Sequence, residues 1–138
     1  MSKKLKRRQS LEEILASCSD TLFPADLGAA PVTVDSRDAD GDTPLHVLAR
    51  RGNNYGLERL IEAGADVNAI GDMSETPLHV ALHQKNLVAV ELLLNAGAVV
   101  SLVSEFDQSP LSIANDLGGE FRALMRQKAG AGSVGQGE

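Results

Sequence analysis

The sequence predicts an all-α solenoid of about three helix–loop–helix repeats, with hairpin fingers and a degenerate capping repeat at its N-terminal end. A glycine followed by alanine recurs 33 residues apart, as Gly64 and Gly97, and apolar positions recur at the same interval, as Leu57 and Val90. A period of this length indicates stacked units that share one continuous core. A tetrapeptide follows the same period, as Thr43-Pro44-Leu45-His46, Thr76-Pro77-Leu78-His79 and Ser109-Pro110-Leu111-Ser112.

The tetrapeptide marks the start of a short helix. Thr43 and Thr76 are N-cap residues, and the proline after each takes the first helical position, where its missing N–H costs nothing. After a brief turn, apolar residues on one face predict a second helix. Gly64 and Gly97 supply the left-handed residue that ends it, and an extended hairpin-like turn follows. The predicted first helices span 44–51 and 77–84, and the second helices span roughly 54–63 and 87–96.

A degenerate repeat is predicted at the N-terminal end. Ser10 lies 33 positions before Thr43 and forms a capping box with Glu13, which opens a helix. Pro24 and the loop 26–31 replace a regular second helix in this unit. The helix presents one apolar side, which we expect to cap the first full repeat. That side consists of Leu11, Ile14 and Leu15.

The last repeat departs from the period. Its segment 121–125 matches 57–61 only if two residues are deleted between its helices, and no glycine-alanine pair follows. We therefore predict that the stack ends near Lys128 and that the Gly-rich remainder, with nothing to bury, is disordered. The predicted divisions are a basic N-terminal arm (1–9), a capping helix and loop (10–31), three repeats (32–64, 65–97 and 98–128) and a tail (129–138).

Two positions inside the repeats break the pattern. Gly56 lies within a predicted helix, where glycine costs about 1 kcal/mol relative to alanine. Lys85 replaces the glycine expected between two helices, where Gly52 and Gly118 stand in the other units. Because so few repeats stack, we expect a folded domain of modest stability.

The motifs TPLHVLARRG, TPLHVALHQ and GADVNAIGD resemble ankyrin repeats over about residues 32–127. The resemblance implies a stack of helix–loop–helix units with fingers projecting at right angles. It also implies that His46 and His79 serve hydrogen bonding between neighbouring units. Ser112 fills that position in the last unit, which has no successor to contact. Partners of such proteins usually meet the finger tips and the outward positions of the first helices, so we expect a non-catalytic protein–protein interaction module.

Charge and composition limit the classes of partner. The net charge is −6, but residues 1–8 carry five Lys or Arg, so the remainder holds 8 basic and 19 acidic residues, a charge of 8 − 19 = −11. Such a body repels nucleic acid phosphates and attracts basic proteins. The longest apolar run is far shorter than a membrane span, and the basic start lacks the apolar centre of an export signal. With the single Cys18, this predicts a cytoplasmic monomer without disulfides.

The residues give little indication of a metal, calcium or catalytic site. His79 and His83 stand four apart in a helix, but a metal ion would need further ligands, and none is suitably spaced. The carboxylate-rich stretch 35–42 lacks the ending of a calcium loop and is explained by turn chemistry. No phosphate loop or nucleophile arrangement is present. We therefore predict neither catalysis, nor a metal, nor a cofactor.

The basic arm leaves several interpretations open. Residues 3–8 could be a nuclear address, a membrane-surface patch, a contact for an acidic partner or a solvated tail that keeps the chain soluble. The stretch Arg-Arg-Gln-Ser at 7–10 resembles a basic-directed kinase site, although the role of Ser10 as a helix cap already accounts for that serine.

The resemblance places a partner-binding surface on the fingers and first helices. Ile70, Met73, Val103 and Phe106 put four apolar side chains on neighbouring fingers, as an interface core requires, and acidic residues surround them. Ordinary packing between fingers and a groove for a basic protein with one apolar anchor are both open. The implied contact residues are Arg37, Asp40, Asp42, Arg50, Arg51, Ile70, Asp72, Met73, Glu75, His83, Gln84, Val103, Glu105, Phe106, Gln108 and Asp116.

A narrower role comes from resemblance alone. The segment 22–28, leading into DADGDTPLH and NAIGDMSETPLH, resembles small stand-alone bacterial ankyrin proteins, some of which are suspected immunity proteins or toxin inhibitors. An inhibitor of a basic toxin or enzyme is therefore one hypothesis. The alternative is a regulatory adaptor or scaffold that uses the basic arm for nuclear or membrane targeting.

Overall fold

A computed structural model describes residues 9–26 and 29–137, with side-chain environments described up to Lys128. Residues 1–8 of the basic arm lie outside the described residues, so the predicted functions of the arm remain predictions. The described part of the chain is helical and contains no β-strand. The all-α fold class is confirmed.

The helices stack as the period predicts. In the full repeats, first helices pack on first helices (α3 on α5 on α7) and second helices on second helices (α4 on α6 on α8). Two short helices precede them, and here the order differs from that of the full repeats, because α1 packs on the second helix α4 and α2 packs on the first helix α3. The helices are α1 Leu11–Ala16, α2 Ser19–Leu22, α3 Pro44–Arg51, α4 Asn54–Glu62, α5 Pro77–His83, α6 Leu87–Asn95, α7 Pro110–Leu117 and α8 Gly119–Gly137.

Local capping explains where the helices begin. Ser10 and Glu13 form the expected capping box, with the Ser10 N–H donating to Oε1 of Glu13 at 2.8 Å. Thr43, Thr76 and Ser109 adopt extended backbone, and each is followed by proline at the first helical position. On the capping helix Ile14 and Leu15 are buried, and Leu11 packs against the core. The predicted spans 44–51 and 77–84 agree with α3 and α5 to within one residue.

The first helices of repeats one and two end in the same hydrogen-bond pattern, although only one of them ends on glycine. After α3, Gly52 has a φ of 74° and the Asn53 N–H donates to the Leu48 carbonyl at 3.0 Å. After α5, Lys85 takes a φ of 55°, and the Asn86 N–H donates to the corresponding carbonyl at 3.1 Å. Lys85 therefore accepts a left-handed backbone conformation that is easier for glycine.

Gly56 compensates for a large neighbour in the core. A Cβ at this position would lie 3.1 Å from a methyl carbon of Leu48 and 3.0 Å from the Asn53 amide. In the next repeat the equivalent positions are Ala81 and Ala89, both fully buried. Ala81 is smaller than Leu48 and leaves room for the methyl group of Ala89 on α6. Glycine is needed at position 56 because Leu48 packs against it in the first repeat.

The final helix continues into the tail. The structure keeps Gly119–Gly137 helical, which departs from the disorder predicted for 129–138. The segment contains no proline, and extending a formed helix by one residue is easier than starting a new one. Phe121, Leu124 and Met125 hold the first half of this helix against the core.

Candidate protein-binding surface

Three hairpin fingers connect the repeats and are built alike. Each finger is closed by a backbone N–H that donates to the carbonyl four residues later. The pairs are Asp38 to Asp42 at 2.9 Å, Gly71 to Glu75 at 2.9 Å and Ser104 to Gln108 at 2.8 Å. The 33-residue period therefore holds for the turns as well as for the helices.

Hydrogen bonds between fingers hold them in a fixed relation. The Arg37 guanidinium of the first finger donates to the Ile70 carbonyl of the second at 3.0 Å. The Asp72 N–H donates to Oδ1 of Asp42 at 2.9 Å. On the next pair, the Glu105 N–H donates to the Met73 carbonyl at 2.9 Å. Their tips consequently form one preorganised surface.

The two tetrapeptide histidines join neighbouring repeats. In each ring, Nδ1 accepts from the backbone N–H of the N-cap threonine, at 3.1 Å for His46 and 3.0 Å for His79. Nε2 lies 2.9 Å from the Glu75 carbonyl and 3.0 Å from the Gln108 carbonyl, respectively. A carbonyl only accepts and a backbone N–H only donates, so both rings are neutral with the proton on Nε2.

Ser112, the counterpart in the last repeat, retains only the local half of this arrangement. Its Oγ accepts from the Ser109 N–H at 3.0 Å and donates to the Ser109 carbonyl at 2.9 Å. The serine is too short to reach beyond its own repeat. The bonding between repeats that the resemblance implied for His46 and His79 is therefore present in the structure, and Ser112 lacks it.

Burial lowers the pKa of both histidines. For His46 this desolvation outweighs the hydrogen bond to the Glu75 carbonyl and the nearby carboxylate of Asp42, which favour the charged form. For His79 it outweighs the hydrogen bond to the Gln108 carbonyl in the same way. Protonation at Nδ1 would also set two donors against each other, because the threonine N–H already points at that nitrogen.

We expect the free energy of unfolding to fall as the pH drops below 6.5, the ordinary histidine value from which both pKa values are lowered. The unfolded chain then binds more protons than the folded chain, so each histidine contributes a slope of up to about 1.4 kcal/mol per pH unit until its folded pKa is reached. Urea titrations from pH 7.5 to 5 measure this slope. A His79→Gln variant should lose about half of it, and an unchanged slope in that variant would contradict the assignment.

His79 and His83 do not form a ready metal pair. Both ring nitrogens of His79 are already hydrogen-bonded, so a metal could bind only by displacing those contacts. His83 Nε2 lies 3.0 Å from Oε2 of Glu75. In the part of the chain that the structure describes, no group of three or more His, Cys, Asp or Glu side chains is arranged to hold a metal ion.

An acid on the finger pairs with a base on the following helix in each of the first two repeats. Oδ2 of Asp42 lies 3.3 Å from the Arg50 guanidinium. Glu75 and His83 occupy the same two positions 33 residues later and form the 3.0 Å contact described above. Glu75 and His83 therefore contact each other within the chain, although the His83 side chain remains 39% exposed.

Four apolar side chains on the second and third fingers are open to solvent. Ile70 and Met73 are each 44% exposed, Val103 is 56% and Phe106 is 59% exposed. Met73 also has a φ of 59°, a left-handed conformation that costs a bulky side chain about 1 kcal/mol. We call these four residues the apolar finger patch.

The structure corrects the direction of two predicted contact residues. Asp42 is 7% exposed and its carboxylate binds Asp72 and Arg50, so it does not face outward as predicted. Arg51 turns toward the leading unit, where it donates to the Ser17 carbonyl at 3.1 Å and to Oγ1 of Thr21 at 2.8 Å. The orientation of each side chain depends on which neighbouring group lies within reach. The position of a residue in the repeat does not specify that neighbour.

Most other predicted contact residues remain accessible. Arg37 is exposed but also joins two fingers, and Glu75 is half-buried beside His83. Asp72 is half-buried at the tip of the second finger, and Gln108 is half-buried at the base of the third finger. The exposed remainder, apart from the apolar finger patch, consists of Asp40, Arg50, His83, Gln84, Glu105 and Asp116.

Gly71 is a structural residue that the sequence pattern did not single out. A Cβ there would lie 2.2 Å from Oδ1 of Asp42 and 2.8 Å from Nε2 of His46, the two atoms that join the first repeat to the second. Ser104 occupies the equivalent place in the third finger, so the period itself carries no signal for glycine. Glycine is needed at position 71 because the Asp42 side chain turns inward and occupies the space of a Cβ.

Comparison with known families agrees with this architecture. A family model described as ankyrin repeats (3 copies) matches residues 11–117, which is more than half of the chain. The comparison with curated proteins found no match. Within the described residues, no helix has the length and apolar character needed to cross a membrane. The chain therefore belongs to the ankyrin repeat family, whose fold is typically a non-catalytic protein–protein interaction module.

Proposed function

We propose that this protein binds a basic protein partner through the apolar finger patch and the adjoining exposed positions of the first helices. The observation that carries the proposal is the exposure of Ile70, Met73, Val103 and Phe106 on two fingers that are hydrogen-bonded to each other. Contiguous exposed apolar side chains with a polar rim are typical of protein interfaces. Packing between fingers accounts for them less well, because side chains packed in that way would be buried.

Preorganisation supports the same surface. The backbone bond between Glu105 and Met73 and the bonds from Arg37 and Asp72 hold the fingers before a partner arrives. Binding then costs less conformational entropy than it would if the fingers were mobile loops, because the fingers are already held in place. Aromatic side chains at such surfaces carry a large share of the binding free energy, so Phe106 is the expected anchor.

Charge supports a basic partner. The exposed acids Glu105 and Asp107 and the half-buried Asp72 lie on the same fingers as the apolar finger patch, and the exposed Asp40 lies on the neighbouring first finger. Outside residues 1–8 the chain carries a net charge of −11 (8 − 19). Complementary charge speeds encounter and excludes acidic competitors. Inhibition of a basic toxin or enzyme, as an immunity protein would provide, is the specific role that this chemistry suits.

The proposal predicts that Phe106→Ala weakens partner binding by about 30-fold, the loss expected when an anchor worth about 2 kcal/mol is removed. Asp72→Lys should slow association about tenfold at low salt, because it reverses a charge on the approach path. The wild-type chain is used to isolate a partner from its native cell, and calorimetry and kinetics are then measured on the purified pair.

Val88→Ala is the matched control for Phe106→Ala. Val88 is 54% exposed on α6, outside the fingers, so truncating it should leave affinity unchanged. If Phe106→Ala and Asp72→Lys both retain wild-type affinity and kinetics, this surface is not the binding site. Circular dichroism and thermal unfolding of each variant separate lost binding from lost folding.

A further inference from the structure

The acid–base pairing of the first two repeats is interrupted in the third. Asp42 pairs with Arg50, and Glu75 with His83, in each case eight positions apart. The equivalent residues of the third repeat are Gln108 and Asp116, 33 positions after Glu75 and His83. In the third repeat the acidic residue therefore lies on the helix and not on the finger, and neither of the two positions carries a basic residue.

The backbone around Gln108 is equivalent to that around Glu75. The Gln108 carbonyl accepts from Nε2 of His79, as the Glu75 carbonyl accepts from Nε2 of His46. The third finger closes with the same N–H to carbonyl bond. Asp116 is exposed on α7, and among the described residues no cationic group lies within ion-pair distance of its carboxylate.

We propose that the partner supplies the missing cation. A cationic side chain of the partner lies between Asp116 and Gln108, where Arg50 and His83 stand in the other repeats, while an adjacent apolar side chain rests on Phe106. A guanidinium suits this place best, because it can donate to a carboxylate and to the amide oxygen of Gln108 at the same time. This inference rests on the proposed function and makes it specific.

The pairing pattern also indicates at which repeat the cationic side chain of the partner binds. The carboxylates of Asp42 and Glu75 are already occupied by Arg50 and His83, so these two carboxylates offer little further attraction to a cation. Glu105 and Asp107 on the third finger are exposed, as is Asp116. Phe106 lies two residues before Gln108. A short segment with an apolar residue next to arginine or lysine can therefore reach Phe106 and Asp116 together.

Three variants that each change the net charge by +1 test the inference. Asp116→Asn removes the free carboxylate. The double variant Gln108→Glu with Asp116→Arg rebuilds an internal pair in the order seen in the first two repeats, so the site no longer needs a cation. Glu91→Gln, at an exposed position on α6, is the charge-matched control. The probe is a phage-displayed library of random peptides selected on the immobilised full-length chain.

We expect the selected peptides to share an apolar residue adjacent to arginine or lysine. Their affinity should fall about tenfold in Asp116→Asn and at least as much in the double variant, and it should be unchanged in Glu91→Gln. Thermal unfolding confirms that each variant is folded.

If the peptides lose affinity in Phe106→Ala but not in the Asp116 variants, this inference is overturned and the proposed function stands. If they also bind Phe106→Ala normally, both are overturned. A selection that yields no peptide dependent on Asp116, or a consensus without a cation, overturns the inference as well.

Discussion

Replacing His79 by alanine should lower the free energy of unfolding by about 3 kcal/mol, which is a large fraction of the stability of a small repeat domain. The ring is fully buried and holds three groups: the N–H and hydroxyl of Thr76 and the carbonyl of Gln108. Alanine leaves these groups unsatisfied and opens a cavity between two repeats. Urea denaturation followed by circular dichroism measures the loss.

His83→Ala is the matched control, because His83 lies four residues further along the same helix. Its side chain is 39% exposed, and its contact with Glu75 is a surface pair worth at most about 1 kcal/mol. We expect a small loss of stability. Should His79→Ala prove too unstable to purify, His79→Gln, which retains a polar side chain, provides the measurement. A larger loss for His83→Ala than for either His79 variant would reverse the assigned roles.

Gly71→Ala should cost about 2–3 kcal/mol through the contact between the first and second repeats. An added Cβ would lie 2.2 Å from Oδ1 of Asp42, so the carboxylate must move by about an ångström and lose the Asp72 N–H. The same Cβ would lie 2.8 Å from Nε2 of His46, which bonds the Glu75 carbonyl. Chemical denaturation again gives the free energy of unfolding.

A double-mutant cycle separates this collision from a general preference for glycine. In an Asp42→Ala background the carboxylate is gone, so Gly71→Ala should cost less than in the wild-type chain. Ser104→Ala at the equivalent place of the third finger should cost about 1 kcal/mol, because only the bond from the Phe106 N–H to the serine hydroxyl is lost. Additive effects of Asp42→Ala and Gly71→Ala would contradict the proposed cause.

Most of the fold could be predicted from local signals. Threonine followed by proline begins a helix wherever it occurs, and glycine in the left-handed conformation ends one, so helix starts and ends agree with the structure closely. Lys85 departs from this rule, because it takes the left-handed conformation without being glycine. The backbone keeps its left-handed turn there because the hydrogen bond from Asn86 to Ala81 and the packing of the repeat outweigh the preference of lysine.

The candidate site was predictable in part. Exposure at the finger tips follows from the repeat, and Met73 and Phe106 are indeed accessible. The orientation of Asp42 and Arg51 was not predictable, because each side chain turns toward an atom of another unit, the Asp72 N–H and the Ser17 carbonyl. Such contacts connect residues about 30 positions apart and depend on how closely neighbouring units stack.

The sequence by itself determined the repeat, its caps and the family, because each of these depends on residues within a few positions of one another or at a constant spacing. Only the tertiary structure decided which charges remain free. Asp42 and Glu75 are paired within the chain, whereas Asp116 has no cationic partner among the residues that the structure describes. The reason is geometric: whether a carboxylate is paired depends on distances of a few ångströms between separate elements, and these arise only when the repeats stack.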